Sequence, residues 1–310
     1  MIAMADAVRR LSQALGDNPA AELAASALIE ADVLGLSRFG IAMLDEWKAD
    51  ATPVPSIAEE QAVNWLDCSS CFAPLAVASA TLELAAAAKR SGIAAAFLRG
   101  VTGFGRLAPF VRSLAEAGLV SIAGAEGPPF VAPFGGHRPV IGTNPFALAM
   151  GRGEDRVVID VASSSATMAD IRNARASGTP LADGIAVDQE GRPTNIADDV
   201  AALLPRGGQL GSLLGLVVEL LAGIAGGGRG DPKGRGVFLL AFDPERASGS
   251  VEWQTRLASL QDDWTGAGGH WPRGGNAAPD SMLDQAFEQR LNTHLARITN
   301  ELGPANKSQS

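Results

Sequence analysis

The side chains best placed to bind a small molecule lie in one run rich in proline and glycine, Pro128 to Met150. Proline fixes φ and glycine admits positive φ, so this run predicts a rigid, bent loop. Its tetrapeptide GTNP separates two apolar pieces that are predicted to be buried strands: residues 139–141 and 146–150. The hydroxyl of Thr143 and the amide of Asn144 would stand at the tip of this turn, where they could bind substrate. A purely structural turn is the alternative interpretation.

A carboxylate follows a little further along the chain. Asp160 lies near the end of the β-branched run Val157 to Val161, and a carboxylate at the end of a strand can accept both hydroxyls of a ribose. Asp160 could equally cap the helix predicted over residues 164–177. Glycines 207, 208 and 211 precede an apolar helix, where backbone N–H groups can approach a phosphate. Close helix packing is the alternative use of these glycines.

Few other side chains could take part in binding or catalysis. Arg38 and Arg106 could each hold a carboxylate through two parallel hydrogen bonds, although surface positions would also explain them. Cys68 and Cys71 form a C-x-x-C pair without a second ligand pair or a supporting βα context, so neither a metal site nor a redox site is expected. Tyrosine is absent, and of the three histidines only His137 lies in the central loop.

Composition limits the classes of partner. The chain has 310 residues and a net charge of −9, so clustered basic residues of the kind that neutralise nucleic-acid phosphates are not expected. The apolar fraction of 46% is sufficient for a packed core. Its first residues predict an amphipathic helix rather than a signal peptide, and no uninterrupted apolar run could span a membrane. A cytoplasmic protein is therefore expected.

Hydrophobic periodicity predicts an α/β protein, without a G-x-G-x-x-G motif after an early strand. Helices are predicted at residues 4–15, 20–34, 70–90, 253–260 and 284–302, with another closing at 114–117. Buried strands are predicted at residues 93–98, 119–125, 157–161 and 237–244. We expect the last helix to dock on the N-terminal helices, and residues 223–236 to form a short flexible link.

The central loop is the first of five ordered motifs. P-F-G-G-x-x-x-x-x-G-T-N-P is followed by VVIDVASS, VDQEGRPTN, PRGGQLGSLLGLVVELLAG and VFLLAFDP. This series resembles the type-2 malate/L-lactate dehydrogenase family, which also includes ureidoglycolate and sulfolactate dehydrogenases and Δ1-piperideine-2-carboxylate reductases. The resemblance covers most of the chain and weakens before Gly92 and after Pro244.

The resemblance implies a fold, a cofactor and an assembly. The fold is a non-Rossmann NAD(P)-binding fold with a central mixed or antiparallel sheet, and the assembly is a homodimer. Residues 1–112 with 265–310 would form a substrate and dimerisation domain, and residues 113–264 a cofactor-binding domain. The cofactor, NADH or NADPH, would contact Gly127, Asp160, Val161, Ala162 and Gly211. The candidate substrate-binding residues are the four named above: Arg38, Arg106, Thr143 and Asn144.

Five positions depart from the family pattern. The histidine and arginine that accompany the family's Ser-His-Gly segment align with Phe39 and Met43. The histidine of its Asn-His-Phe-Gly segment, the expected proton donor, aligns with Gly103. In the Lys-Gly-Tyr-Gly turn that meets the cofactor, the lysine position is Leu210 and the tyrosine position Ser212. No catalytic residue can therefore be named from the sequence.

Three hypotheses follow from these departures. The first is an NAD(P)H-dependent oxidoreductase whose substrate is a cyclic 2-imino acid or a 2-oxo acid, that is, a dehydrogenase or imine reductase. A protonated imine needs no further proton donor, so loss of the family histidines favours the imine. The second is a catalytically inactive family member that serves as a binding or partner subunit. In the third, His137 has taken over the acid role, although a structural histidine explains it equally well.

Overall fold

A six-stranded mixed sheet forms the centre of the computed structural model, which describes residues 1–48, 50–58, 61–229 and 235–302. The described strands, in chain order, are β1 (Ile2–Ala3), β2 (Val63–Asp67), β3 (Ile93–Arg99), β4 (Val120–Ala125), β5 (Pro145–Met150), β6 (Val157–Ala162), β7 (Ala186–Val187), β8 (Ala202–Leu203), β9 (Val237–Phe242) and β10 (Met282–Leu283). The order across the main sheet is β2-β3-β9-β4-β5-β6. Among these strands β2 and β3 are parallel, and each other neighbouring pair is antiparallel. The predicted α/β fold with a mixed sheet is confirmed.

Residues at the helix ends explain where several of the helices begin or end. They are α1 (Met4–Leu15), α2 (Pro19–Val33), α3 (Ala73–Ser91), α4 (Ala108–Glu116), α5 (Met168–Ser177), α6 (Gln209–Val218), α7 (Pro244–Ser248), α8 (Trp253–Gly266) and α9 (Gln285–Leu302). The side chain of Asn18 caps α2 by accepting the N–H of Ala21, and Gly92 ends α3 in the left-handed conformation. None of the described helices is long and apolar enough to cross a lipid bilayer.

The two ends of the described chain meet. β1 pairs with β10, with Ile2 opposite Leu283, and α9 packs against α1. Leu11 on α1 and Leu291 on α9 are both fully buried in the main core. The predicted docking of the last helix on the N-terminal part is confirmed, and its energy comes from burying these apolar faces against each other.

A second apolar core lies apart from the main one. It is formed by residues of the central loop and of the segment that follows β6: Val131, Ile141, Ala166, Ile171, Ala174, Leu181, Ala186, Ala197 and Leu203. The main core instead joins α1 to α4 and α9 to one face of the sheet. The sheet itself takes strands from both predicted domains, and the division at residues 112 and 264 stays a prediction.

Four predicted elements differ in extent, and the first is α8, which extends to Gly266 instead of ending at residue 260. Residues 139–141 do not form a strand; Ile141 makes a single bridge to Val131, because the prolines and glycines of this loop interrupt the hydrogen-bonding pattern. The helix expected over residues 164–177 starts at Met168. The apolar helix α6 continues as a π-helical turn, Glu219–Ala225, into the flexible link predicted over residues 223–236. Residues 230–234 of that link lie outside the described part of the chain.

Truncation of Leu291 tests how α9 is held. Because Leu291 is fully buried, Leu291→Ala should lower the free energy of unfolding by about 2–5 kcal/mol. Leu260→Ala on α8 removes the same atoms from a leucine that is 53% exposed, and should change the free energy of unfolding by about 0.5 kcal/mol or less. Urea unfolding measures both. Equal losses in the two variants would contradict the docking of α9.

Candidate functional site

Asn144 holds the turn of the GTNP motif from inside. Its backbone has a φ of +31°, and its side chain is fully buried. The amide oxygen accepts the N–H of Gly127 at 3.2 Å, and the amide nitrogen donates to the carbonyl oxygen of Gly215 and to Glu219 Oε2 at 2.9 and 3.0 Å. The sequence predicted this amide at an open tip of the turn. In the structure it is enclosed and joins the turn to Gly127, Gly215 and Glu219. A substrate contact of Asn144 stays a prediction.

Gly142 is required by this arrangement. A Cβ atom at Gly142 would lie 2.6 Å from the Asn144 amide oxygen and 2.7 Å from the Gly127 nitrogen, closer than real Cβ contacts allow. Glycine therefore permits the backbone at residue 142 to pass next to Gly127, one of the predicted cofactor residues.

Three of the remaining predicted cofactor residues, Val161, Ala162 and Gly211, gather around the same turn. Ala162 pairs with Pro145, and Val161 with Phe146, across β5 and β6. Ser163 is buried and donates from both its backbone N–H and its hydroxyl to the carbonyl oxygen of Thr143. A Cβ on Gly211 of α6 would lie 2.8 Å from the carbonyl oxygen of Ser163. The structure therefore brings together one group of predicted residues: Gly127, Thr143, Asn144, Val161, Ala162 and Gly211.

Asp160 faces the other way, towards α4. Its Oδ2 accepts the N–H of Ala108, the first residue of α4, at 2.9 Å, and lies 4.0 Å from Arg106 Nε. Burial raises the pKa of Asp160, while the Ala108 N–H and Arg106 act in the opposite direction. The alternative in which Asp160 caps the following helix is wrong, because Thr167 and Asp170 form the capping box of α5. A ribose contact of Asp160 stays a prediction.

Arg106 belongs to a buried ion network. Its guanidinium donates to Glu30 Oε1 at 3.2 Å and to the carbonyl oxygen of Gly274. Arg112 on α4 also binds Glu30, through both of the carboxylate oxygens. The Glu30 side chain is 1% exposed and each arginine side chain 13%. The interpretation of Arg106 as a surface residue is therefore wrong.

Arg38 lies on a different part of the site. It is exposed, and its Nε is 3.4 Å from Asn173 Oδ1 on α5. In contrast to Arg106, its side chain has no carboxylate partner among the ion pairs of the described residues. Arg38 is therefore a surface residue, as one of the two interpretations predicted. Its role in binding a carboxylate stays a prediction.

The two positions where the family histidines are expected lie on neighbouring segments. Phe39 and Met43 belong to successive 3₁₀ turns, Ser37–Phe39 and Ile41–Glu46, and both side chains are half-buried. A Cβ placed on Gly103 would lie 3.2 Å from Met43 Sδ, and one on Gly105 would lie 2.9 Å from the carbonyl oxygen of Phe39. The thioether of Met43 thus occupies the space next to Gly103.

Other sequence candidates lie elsewhere. His137 is exposed and packs against Gly191 of the polar turn at residues 188–192. Cys68 and Cys71 are free thiols before α3, and burial raises the pKa of Cys68 to about 12, so this thiol stays protonated. Leu210 is 76% exposed at the start of α6. Within the described residues no group of three or more His, Cys, Asp or Glu could hold a metal ion.

Three buried carboxylates, those of Glu30, Glu126 and Glu219, were missed by sequence reasoning. Glu30 lies in an alanine-rich helix, and Glu219 is the single charged residue of the apolar run 209–224. Glu219 is 4% exposed, binds the Asn144 amide and accepts from Arg229. Glu126 lies beside it, accepts the N–H of Gly236 at 2.9 Å and has its pKa raised by burial. The signal available in the sequence was a lone acid within an apolar helical stripe.

Neutralising Glu30 tests the network that holds the Arg106 segment. Glu30→Gln leaves Arg112 buried without its counter-charge and Arg106 with Asp160 alone, so we expect a loss of about 3–5 kcal/mol in the free energy of unfolding. Glu252→Gln breaks the exposed pair with Arg256 and should cost less than about 1 kcal/mol. Urea unfolding at neutral pH measures both, and a small effect of Glu30→Gln would contradict the assigned charge network.

The sequence of this chain is similar to those of known enzymes. A (2R)-3-sulfolactate dehydrogenase (NADP(+)) of Chromohalobacter salexigens is 36% identical over 250 residues, which cover 74% of this chain and 75% of that protein. A Δ1-pyrroline-2-carboxylate/Δ1-piperideine-2-carboxylate reductase of Pseudomonas syringae pv. tomato is 34% identical over 72% of this chain and 64% of its own length.

Solved structures and the family pattern extend the match to nearly the whole chain. The crystal structure of the Δ1-piperideine-2-carboxylate reductase from Pseudomonas syringae superposes with a TM-score of 0.77 at 29% identity, covering 94% of this chain and 97% of that one. A sulfolactate dehydrogenase from Methanocaldococcus jannaschii shares the fold, with a TM-score of 0.76 at 23% identity over 98% of both chains. Residues 3–290 match the family described as malate/L-lactate dehydrogenase. This chain therefore belongs to the malate/L-lactate dehydrogenase family.

Proposed function

We propose that this protein is an NAD(P)H-dependent oxidoreductase that reduces a cyclic 2-imino acid in preference to a 2-oxo acid. The observation that carries the preference is the apolar contact between Met43 and Gly103, with Phe39 on the adjoining turn. None of these three residues can donate a proton. Relatives named as reductases of pyrroline- and piperideine-2-carboxylate support the same substrate class.

The proton balance explains the preference. Hydride addition to a 2-oxo acid gives an alkoxide, which must receive a proton, and a positioned general acid contributes about 10²–10⁴-fold to such a step. A protonated cyclic imine already carries that proton on nitrogen, so hydride addition to its carbon gives a neutral amine directly. The half-buried Phe39 and Met43 offer an apolar wall for the aliphatic ring, and the face of Phe39 suits the iminium cation.

The substrate carboxylate needs a cation, and Arg38 is the better of the two predicted arginines. The Arg106 guanidinium is already engaged by Glu30 and by the carbonyl oxygen of Gly274. Arg38 is exposed beside Phe39 and makes one long hydrogen bond, to Asn173. A bidentate contact from Arg38 would place the carboxylate next to the apolar wall. In this proposal Arg106 positions the loop and does not touch the substrate.

The group around the GTNP turn fits a dinucleotide cofactor. The N-terminus of α6 has no side-chain cap at Gly208, and the exposed Arg206 lies just before it, so backbone N–H groups and a cation can receive phosphate there. Val161 is 38% exposed beside Ala162 and offers a face to an apolar ring. The bound cofactor would supply the hydride, and Gly127, Asp160, Val161, Ala162 and Gly211 are the residues proposed to hold it.

A thermal-shift assay tests cofactor binding. NADH or NADPH should raise the melting temperature, because a ligand at one hundred times its Kd adds about 2.7 kcal/mol to stability. Asp160→Asn keeps an acceptor for the Ala108 N–H but loses the charge, so the shift should shrink while the fold persists. Asp198→Asn is the control, since Asp198 is 84% exposed in a surface ion pair. The absence of any shift at millimolar cofactor would contradict cofactor binding.

A comparison of substrates tests the chemistry. The unaltered protein should reduce Δ1-piperideine-2-carboxylate faster than pyruvate or oxaloacetate, at a rate that follows the protonated fraction of the imine. Gly103→His combined with Met43→Ala, which makes room for the imidazole, should raise 2-oxo acid reduction relative to imine reduction. Met43→Ala alone is the control for the lost apolar contact, so the effect of the imidazole is the ratio in the double variant relative to the ratio in Met43→Ala.

The outcomes of that comparison separate the hypotheses. Faster turnover of pyruvate or oxaloacetate by the unaltered protein contradicts the imine preference, as does an unchanged ratio in the double variant. Cofactor binding without reduction of either substrate would instead identify an inactive binding subunit. The predicted homodimer and the cytoplasmic location belong to this proposal and await direct measurement.

A further inference from the structure

A cleft opens at the end of the central sheet that lies away from the GTNP turn. It has a volume of about 280 Å³ and is lined by the end of α3, the turn between α4 and β4, Arg152 after β5, and residues from 243 to 254 after β9. We call it the distal cleft. The strands β4, β5 and β9 each have one end here and the other near Gly127, so six residues of strand, roughly 20 Å, separate the two places.

Two cations of the distal cleft have no acidic partner. Lys89 and Arg152 are exposed, and neither takes part in an ion pair with any residue that the structure describes. The guanidinium of Arg152 lies over Gly118, where a Cβ atom would collide with it and where φ is +86°. Glycine at position 118 therefore lets the Arg152 side chain lie in the wall of the cleft.

The acids of the distal cleft do not neutralise these cations. Asp243 accepts the N–H groups of Glu245 and Arg246 at the start of α7, and its Oδ2 is 3.7 Å from Arg246 Nε. The Glu245 side chain is exposed and has no cationic partner in the described part of the chain. Two free cations and one free carboxylate therefore line the same cleft, which is complementary to a ligand with two negative charges and one positive charge.

A donor without an acceptor also belongs to this cleft. Trp253, which lines it, is 6% exposed and packs with Leu257 and Trp271. Its indole N–H has no hydrogen-bond partner among the described residues. A buried tryptophan N–H usually has an acceptor, and this group can act only as a donor. A carboxylate oxygen of a ligand in the cleft would complete it.

We propose that the distal cleft binds an amino dicarboxylate, that is, a small amino acid with a carboxylate side chain. Lys89 and Arg152 would hold its two carboxylates, one of which also accepts the Trp253 N–H, and Glu245 would hold its ammonium group. The volume of about 280 Å³ equals that of about nine water molecules at ~30 Å³ each, which suits a molecule of about ten non-hydrogen atoms.

Other classes of ligand fit this cleft less well. Inorganic phosphate would use the two cations but would leave Glu245 facing an anion. A divalent metal ion needs a cluster of ligands, and within the described ranges no group of three or more His, Cys, Asp or Glu could hold one. A dinucleotide is too large for this volume.

Isothermal titration calorimetry of the unaltered chain with L-glutamate tests the proposal, whether or not the protein is an active enzyme. Binding to one saturable site is expected. Glutarate lacks the ammonium group and 4-aminobutyrate lacks the α-carboxylate, so each should bind at least about tenfold more weakly. Equal affinity for glutarate or for inorganic phosphate would overturn the proposal, because it would show a general anion site. No binding of L-glutamate at millimolar concentration would overturn it as well.

A pair of double variants tests the two cations. Lys89→Gln with Arg152→Gln should weaken L-glutamate binding at least about tenfold. Arg9→Gln with Arg256→Gln is the matched control, because it removes two arginines that are exposed in surface ion pairs, and it should leave the affinity unchanged. Circular dichroism confirms that the variants are folded. Equal affinity in the two double variants overturns the proposal.

Two single variants test the donor and the location. Trp253→Phe keeps an aromatic ring but removes the N–H, so it should weaken L-glutamate binding several-fold, and unchanged affinity in the folded variant would overturn the assigned donor. Arg38→Gln alters the candidate substrate site at the other side of the molecule's function and should leave the affinity unchanged. Loss of binding in Arg38→Gln, with binding kept in the Lys89 and Arg152 double variant, would place the amino acid at the candidate site and overturn the proposal.

Discussion

The buried carboxylate of Glu30, shared by Arg106 and Arg112, is the interaction on which the candidate site depends. It joins α2, α4 and the loop between β3 and α4, and through Arg106 it reaches Gly274 and Asp160. Two arginines and two carboxylates balance in charge, which makes their burial tolerable. Without this balance the loop that carries Gly103 would lose its anchor, and the apolar wall of Met43 and Phe39 would have nothing to pack against.

A second buried acid fixes the other half of the site. Glu219 receives the Asn144 amide, and Asn144 in turn receives the N–H of Gly127. The residues proposed for the cofactor are therefore held by a side chain of the π-helical turn that continues α6. This explains why a charged residue is kept within an otherwise apolar helix: its carboxylate is stabilised by the amide it positions and by Arg229. Any contact that rigidifies α6 also rigidifies the GTNP turn.

On the proposed substrate side, Arg106 and Met43 are both engaged in structural contacts. Arg106 is occupied by structure, and Met43 occupies the space that a side chain at residue 103 would need. Residues 43 and 103 are thus spatially coupled, because a larger residue at one position requires a smaller one at the other. In the proposed function, this apolar contact is where the ring of the substrate would pack.

The sequence by itself determined most of the helices, most strands of the main sheet, the family and the residues around the GTNP turn. Periodicity and end signals are local, so α1, α2, β3, β4 and β9 were predicted nearly to their observed bounds. Partners were not predictable, because they are far apart along the chain. Asp160 caps a helix 52 residues before it, and Asn144 binds a carboxylate 75 residues after it. Only the tertiary structure decided that Arg106 is buried, that the Asn144 amide is enclosed and that the apolar side chains of α6 remain exposed. Hydrogen bonds and burial at such separations depend on how the elements pack, which no local pattern in the sequence specifies.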